Sequence, residues 1–247
     1  MLKVGFVGGR WLGVRCLEYL DRHPHFDVVG VSVTPKEKKV WWTDVVEEDE
    51  VTRMGYDNIS PDEVFQRGPE IVFSVLTSFL FRKPHLEQCD VINLHPAPLP
   101  YYRGCNSYAH AIMNGDSHYG VTLHYVDEGI DTGPIINVDW IAIEDDDTGL
   151  SLYNRAQAAA LGLFKYQSRE IWHNHSYKVR AANQPQDKRS ARYYTRESLE
   201  PYRIVDHRDP NVERIMRAMT FPPHPMPTIV YGHVNRQSGS DHGRGEG

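Results

Sequence analysis

The sequence predicts an α/β fold, a mostly parallel, doubly wound sheet with a small irregular domain at its C-terminal end. Two observations carry this. Short apolar runs alternate with segments of helical periodicity through the first hundred or so positions, the β-α order that a parallel sheet with helices on its faces requires. Glycine, proline and Ser-Pro breakers bound the runs, as strand and helix ends demand. In order, "LKVGFVG" is an apolar run closed by glycines, and "RWLGVRCLEYLDRH" follows with Leu12, Cys16, Leu17 and Leu20 at helical spacing. "FDVVGVSV" is the second strand, "SPDEVFQRG" a short helix with a Ser-Pro start and a glycine stop, and "IVFSVL" and "VINL" two further strands. A helix begins near Asn106, "YGVTLHYV" and "GPIINVDWIAI" read as strands, and a long helix closes the main domain up to Asn174. The acidic triplet Asp145 to Asp147 sits where N-terminal capping and charge for that helix are needed.

A length of 247 residues suits one large domain or a main domain with an appendage, and 40% hydrophobic residues supports a sizeable core. The boundaries we expect are 1–189 for the main domain, 190–235 for the small one, and 236–247 as a disordered tail without apolar residues. Three cysteines, Cys16, Cys89 and Cys105, form no Cys-x-x-Cys pair, so neither a disulfide framework nor a cysteine zinc site is expected. A net charge of −6 offers no global attraction to nucleic acid or to anionic membranes. With neither a twenty-residue apolar run nor a signal-peptide pattern, the expected location is the cytoplasm, with no membrane partner.

The informative stretch is "VINLHPAPLPYYRG", Val91 to Gly104. On a strand Asn93 and His95 share a face while Ile92 and Leu94 take the other. Pro96, Pro98 and Pro100 then end regular pairing. An amide and an imidazole therefore stand together at the carboxyl end of a strand, where open parallel sheets bind ligands. The loop "HYVDEGIDTGPI" offers Asp127, Glu128 and Asp131 as carboxylates to orient the imidazole, Asp131 where the chain re-enters a strand. Without a nucleophilic Ser or Cys, such a set suits attack by an external nucleophile on a carbonyl, the amide donating to the oxyanion and the histidine handling proton or charge. A histidine closing a strand end is also an ordinary structural residue. A display role for the proline segment, as a polyproline II ligand, conflicts with the buried strand before it and the helix after it.

"NLHPAPLPYYRG" followed by "GVTLHYVDEGIDTGPII" resembles the central signature of the 10-formyltetrahydrofolate-dependent formyltransferases, which act on glycinamide ribonucleotide, methionyl-tRNA or amino sugars. The resemblance runs from about Val72 to Ile136 and implies a Rossmann-like sheet. It places the family's catalytic Asn, His and Asp on Asn93, His95 and Asp131. It implies 10-formyltetrahydrofolate as formyl donor, held by Phe79, Leu80 and Phe81 and by Asp127, Glu128, Gly129 and Ile130, with no metal. Tyr102 and Arg103 match the family motif and are assigned to substrate binding, with bracing of the loop as the alternative role for Arg103. "GGRWLG" lacks the phosphate loop of the glycinamide ribonucleotide enzymes, and too few residues follow Arg189 for the RNA-binding barrel of the methionyl-tRNA enzymes. "RYYTRESLEPYRIVD" and "IMRAMTFPPHPMPTIV" are similar to the short C-terminal region of enzymes that formylate nucleotide-linked amino sugars. The resemblance thus implies a nucleotide-sugar acceptor, a thymidine diphosphate sugar favoured, of the kind used in bacterial surface polysaccharides.

Gly8, Gly9 and Gly13 have the wrong spacing for a dinucleotide fingerprint, so NAD is not expected. Arg10, beside a helix start, is instead the candidate contact for a pyrophosphate. Trp41-Trp42 and the His173 to His175 segment read as packing and a helix end. Tyr193, Tyr194, Tyr202 and Phe221 need a partner surface, either the main domain or a second copy in a homodimer.

Overall fold

A computed structural model describes residues 1–35, 47–174 and 185–231; Trp41, Trp42, His175 and the 236–247 tail lie outside them. The elements are β1 (Leu2–Gly8), α1 (Arg10–Arg22), β2 (Phe26–Val33), α2 (Glu47–Arg53), α3 (Pro61–Gln66), β3 (Ile71–Val75), α4 (Lys83–Leu86) and β4 (Asp90–His95). They continue with β5 (Arg103–Gly104), α5 (Ser107–Asn114), β6 (His118–Tyr125), β7 (Ile135–Ala142) and α6 (Gly149–Asn174). Last come β8 (Tyr193–Tyr194), β9 (Ile204–Asp206), α7 (Val212–Ala218) and β10 (Thr228–Val230). Six strands form one sheet in the order β2-β1-β3-β4-β6-β7. The first four are parallel, whereas β6 is reversed and pairs antiparallel with both β4 and β7. The mostly parallel α/β sheet expected from the sequence is therefore present, with an antiparallel edge.

Sequence patterns account for the elements. In α3, Ser60 and Glu63 form a reciprocal capping box with Pro61 at the first turn. At the start of α6, Thr148 and Ser151 exchange backbone-to-hydroxyl hydrogen bonds. The buried carboxylate of Asp147 accepts from the Ser151 hydroxyl, the Glu144 N–H and Arg155, so of the acidic triplet Asp147 braces the helix start through side chains, while Thr148 and Ser151 take the backbone donors. One sheet face, with Phe6, Phe73, Ile92, Leu94 and Leu123, packs against α1 and α6. The opposite face carries a smaller cluster of Val7, Val72 and Val91 under Val64 and Phe65 of α3, closed by Phe81. Each such aliphatic or aromatic side chain contributes about 1.5–3 kcal/mol on burial.

The proline run after β4 does not leave the sheet. Thr122 on β6 accepts from the Leu99 N–H at 3.0 Å and donates to the Ala97 carbonyl at 2.7 Å, and the Tyr119 hydroxyl donates to Pro96 O at 2.8 Å. Side chains of the antiparallel neighbour thus satisfy the backbone that prolines withdraw from the ladder.

The C-terminal aromatics pack on the main body. Tyr194 stacks on Tyr102 and His110, and Phe221 meets Tyr108 and Tyr153. Around α7, Val205, Ile215 and Met219 form a third cluster that shares Met113 and Leu199 with the main core. Strand β8 pairs in parallel with β5. Gly104 makes this pairing possible: its φ is +86° and a Cβ there would run into the Tyr194 carbonyl. Gly104→Ala should therefore lose more than about 1 kcal/mol of stability, read as a lower thermal midpoint, whereas Gly162→Ala, on an open helix surface, should not lower it.

Candidate active site

The parity of β4 sets the site. Val91, Asn93 and His95 lie on the α3 face of the sheet, and register brings Ser74 of β3 and His124 of β6 beside Asn93, and Thr122 beside His95. The Asn93 carboxamide is fixed from both sides: the Ser74 hydroxyl donates to Oδ1 at 2.9 Å, and Nδ2 donates to Nε2 of His124 at 3.1 Å. The tautomer follows from the far side of that ring, where Nδ1 donates to the Tyr125 carbonyl at 2.8 Å and leaves Nε2 as the acceptor. One of the two Asn93 N–H donors is thereby used, and the second is available to a ligand oxygen on the partly exposed side chain.

His95 is buried, and its Nε2 donates to the Tyr102 carbonyl at 2.8 Å. Its Nδ1 faces Asp131 Oδ2 at 3.7 Å, and His124 Nε2 lies 3.7 Å from Asp131 Oδ1. Asp131 is reached by a loop that leaves β6 at Val126 and folds back so that β7 starts opposite His124. Its Oδ2 also accepts from the Gly104 N–H at 2.9 Å. The amide, the imidazole and the carboxylate predicted from the sequence are thus together, on one sheet face at the carboxyl end of β4.

Electrostatics follows from burial. Desolvation pushes His124 down to about 4 against the pull of Asp131, so it is neutral at ordinary pH. For Asp131, burial is the largest single influence and pushes the carboxyl up, but His95, His124, the Gly104 N–H and Arg103 together hold it below the usual carboxylate value. The site therefore keeps an ionised carboxylate next to the one nitrogen of His95 not committed to the backbone.

The remaining expected residues divide. Phe79 and Phe81 pack against each other and His85, with Phe81 in the core cluster on the Asn93 face. Leu80 is 65% exposed and Ile130 49%, two apolar side chains outside the core on the segments expected to hold a flat ring. In the Asp127 to Ile130 loop, Asp127 accepts from the Gly129 N–H and the Thr132 hydroxyl, and Glu128 is exposed.

Tyr102 and Arg103 are placed differently from the substrate-binding expectation. The Tyr102 ring is buried and its hydroxyl is shared by Asp116 and Asn114, because the stacked Tyr194 closes over it; what it offers the site is its carbonyl. The Arg103 guanidinium donates twice to Gln186, at 3.1 and 2.6 Å. At the start of α1, the Arg10 N–H donates to the buried carboxylate of Glu47 at 2.7 Å, so an internal anion takes the backbone donor expected to meet a pyrophosphate. The Arg10 side chain lies close enough to Tyr108 for its charge to act on that phenol.

Sequence reasoning missed Ser74, His124 and Gln186. For the first two a signal was present: each is a polar residue interrupting an apolar strand at the parity of Asn93. Gln186 lies in an irregular segment where no periodicity applies.

Residues 56–164 match the formyl transferase family model. It is 36% identical over 136 residues to the GDP-perosamine N-formyltransferase of Brucella melitensis, 54% of this chain and 49% of that one. It is 31% identical over 169 residues to the methionyl-tRNA formyltransferase of Nitratiruptor, 62% of this chain and 55% of that one. The chain thus spans about half the length of the curated relatives it matches. The fold matches the N-formyltransferase of Helicobacter canadensis in complex with folinic acid and dTDP-3-aminofucose, with a TM-score of 0.76 and 24% identity over 93% of this chain and 84% of that one.

Buried histidines also set the acid stability. His124 and His110 are both pushed down to about 4, from an ordinary 6.5, by desolvation. Between those values the unfolded chain binds protons that the fold refuses, so stability rises with pH across that window and is lost as pH falls. Each histidine is worth on the order of 3 kcal/mol. The thermal midpoint should drop steeply from pH 6.5 toward 4.5, less steeply in His110→Gln; parallel profiles would contradict this assignment.

Proposed function

We propose that this chain transfers a formyl group from 10-formyltetrahydrofolate to the amino group of a nucleoside-diphosphate-linked amino sugar. The observation that carries the proposal is the convergence of Asn93, His95 and Asp131 on one sheet face; Leu80 and Ile130, on the two segments assigned to the folate, keep exposed apolar side chains. Those two segments are the candidate pterin site, the Asp127 to Ile130 loop supplying backbone groups. The folate supplies an activated formyl carbonyl.

The amine attacks that carbonyl, and the new N–C bond forms as the carbonyl π pair moves to oxygen. The second Asn93 N–H donates to this oxyanion, its carboxamide held in place by Ser74 and His124. The attacking nitrogen sheds a proton, and the bond to the folate nitrogen breaks as that nitrogen gains one. His95 exchanges protons through Nδ1, since Nε2 is engaged with the Tyr102 carbonyl, and Asp131 stabilises the imidazolium form.

For the acceptor, one curated relative is a GDP-perosamine enzyme and one structural neighbour holds dTDP-3-aminofucose; a diphosphate-linked sugar bearing an amine is common to both names. The side chain of Arg10 is the candidate partner for the diphosphate. Methionyl-tRNA is the competing acceptor, since relatives with that activity also match; the net charge of −6 weighs against it.

Purified enzyme offered 10-formyltetrahydrofolate with GDP- and dTDP-linked amino sugars, methionyl-tRNA and glycinamide ribonucleotide should turn over with a sugar nucleotide. Asn93→Ala and His95→Ala should each lower kcat about a hundredfold or more. Efficient formylation of methionyl-tRNA would overturn the acceptor, and retention of more than about a third of the rate in either variant would remove that residue from the chemistry. Arg10→Ala should act chiefly by raising KM for the sugar nucleotide.

A further inference from the structure

Asp131 combines two features that do not coexist without support: it is the site's carboxylate, and its backbone is left-handed, with φ at +54°. A non-glycine residue in that region costs roughly 1–2 kcal/mol, and the loop around it is otherwise partly exposed. Gln186 supplies the support. Its amide nitrogen, Nε2, donates to the Asp131 carbonyl at 2.9 Å and to the Gly133 carbonyl at 2.8 Å. Its Oε1 accepts from Nε and Nη2 of Arg103 at 3.1 and 2.6 Å. Both N–H donors and both acceptor positions of the amide are thus used, and a flipped amide would set donor against donor at Arg103 and oxygen against oxygen at the loop.

These bonds close a ring. Gln186 holds the backbone of Asp131, the Asp131 carboxylate accepts from the Gly104 N–H, Gly104 is joined through the chain to Arg103, and Arg103 returns to Gln186. Strand β8 locks the same turn, since the Arg103 N–H donates to the Arg192 carbonyl and the Cys105 N–H to Tyr194 O. Gln186 lies outside the segment that matches the family model, so part of what aims the carboxylate comes from the chain beyond that segment.

We propose that Gln186 is a positioning residue: it fixes the left-handed backbone of Asp131 and thereby the placement of the carboxylate against His95. This inference rests on the formyl-transfer function proposed above. Gln186→Glu, of the same shape, keeps acceptors for Arg103 but removes both donors and sets a carboxylate against two carbonyls. Gln186→Ala removes the whole contact.

The experiment compares the two variants with wild type in kcat, in KM for the folate and the sugar nucleotide, and in hydrogen exchange of residues 127–134. Misplacement of a reacting group by about an ångström costs up to a hundredfold. Both variants should lose at least about tenfold in kcat with either KM changed less than about threefold, and exchange of the loop amides should quicken. Glutamate should not rescue. An active wild type with either variant at near-normal kcat overturns the role of Gln186 and leaves the formyl-transfer proposal standing. A wild type inactive with every acceptor overturns that proposal, and unchanged loop exchange in Gln186→Ala then overturns the positioning role on its own terms.

Discussion

Everything in the site depends on one buried carboxylate. Asp131 sits within 3.7 Å of two imidazoles, with its side chain 14% exposed, in a place where desolvation alone would favour the neutral acid. A carboxylate survives such burial only when donors and positive charge are close and fixed. The neighbouring Arg103 charge and Gly104 N–H on β5, together with His95 at the end of β4, meet that demand. The geometry of the loop after β6, the pairing of β5 with β8 and the orientation of His95 are consequences of keeping this one group ionised and in place.

The antiparallel step between β4 and β6 is the second constraint. In an all-parallel sheet the strand beside β4 would run with it, and its following loop would leave past His95 at the carboxyl edge. Antiparallel pairing instead sets His124 directly opposite Asn93 and Thr122 opposite His95, and lets a short loop fold back across the sheet with Asp131. The same strand supplies Thr122 and Tyr119 to hold the proline segment, so the turn that brings in Tyr102 and Gly104 has a rigid base. The chain after α6 then braces that turn from outside, through β8 and Gln186.

Much of this was legible in the sequence, for physical reasons. Asn93 and His95 stand two apart on a strand ended by prolines, and that spacing alone puts them on one face. The expectation for Asp131 came from loop chemistry and from the resemblance of the surrounding motif. What periodicity does not carry is partner choice. Nothing in "PYYRG" says that the Tyr102 ring would be sealed under Tyr194, or that Arg103 would turn to Gln186, because both partners lie more than eighty residues away. Likewise the glycine turn before α1 reads as an anion site, and only the fold reveals that Glu47 fills its backbone donor. Long-range hydrogen bonds between irregular segments obey no repeat, and those are the contacts the sequence left open.

The central claim is that the α3 face of the sheet around Asn93 is where a folate presents its formyl group. A crystal structure with bound 5-formyltetrahydrofolate tests it most directly. The account predicts the pterin against Leu80 and the Asp127 to Ile130 loop, with the formyl group on the Asn93 side of the sheet and Asn93 Nδ2 the nearest donor to its oxygen, at about 3 Å once a 10-formyl geometry is reached. A folate bound on the α6 face, or away from β4 altogether, would contradict it.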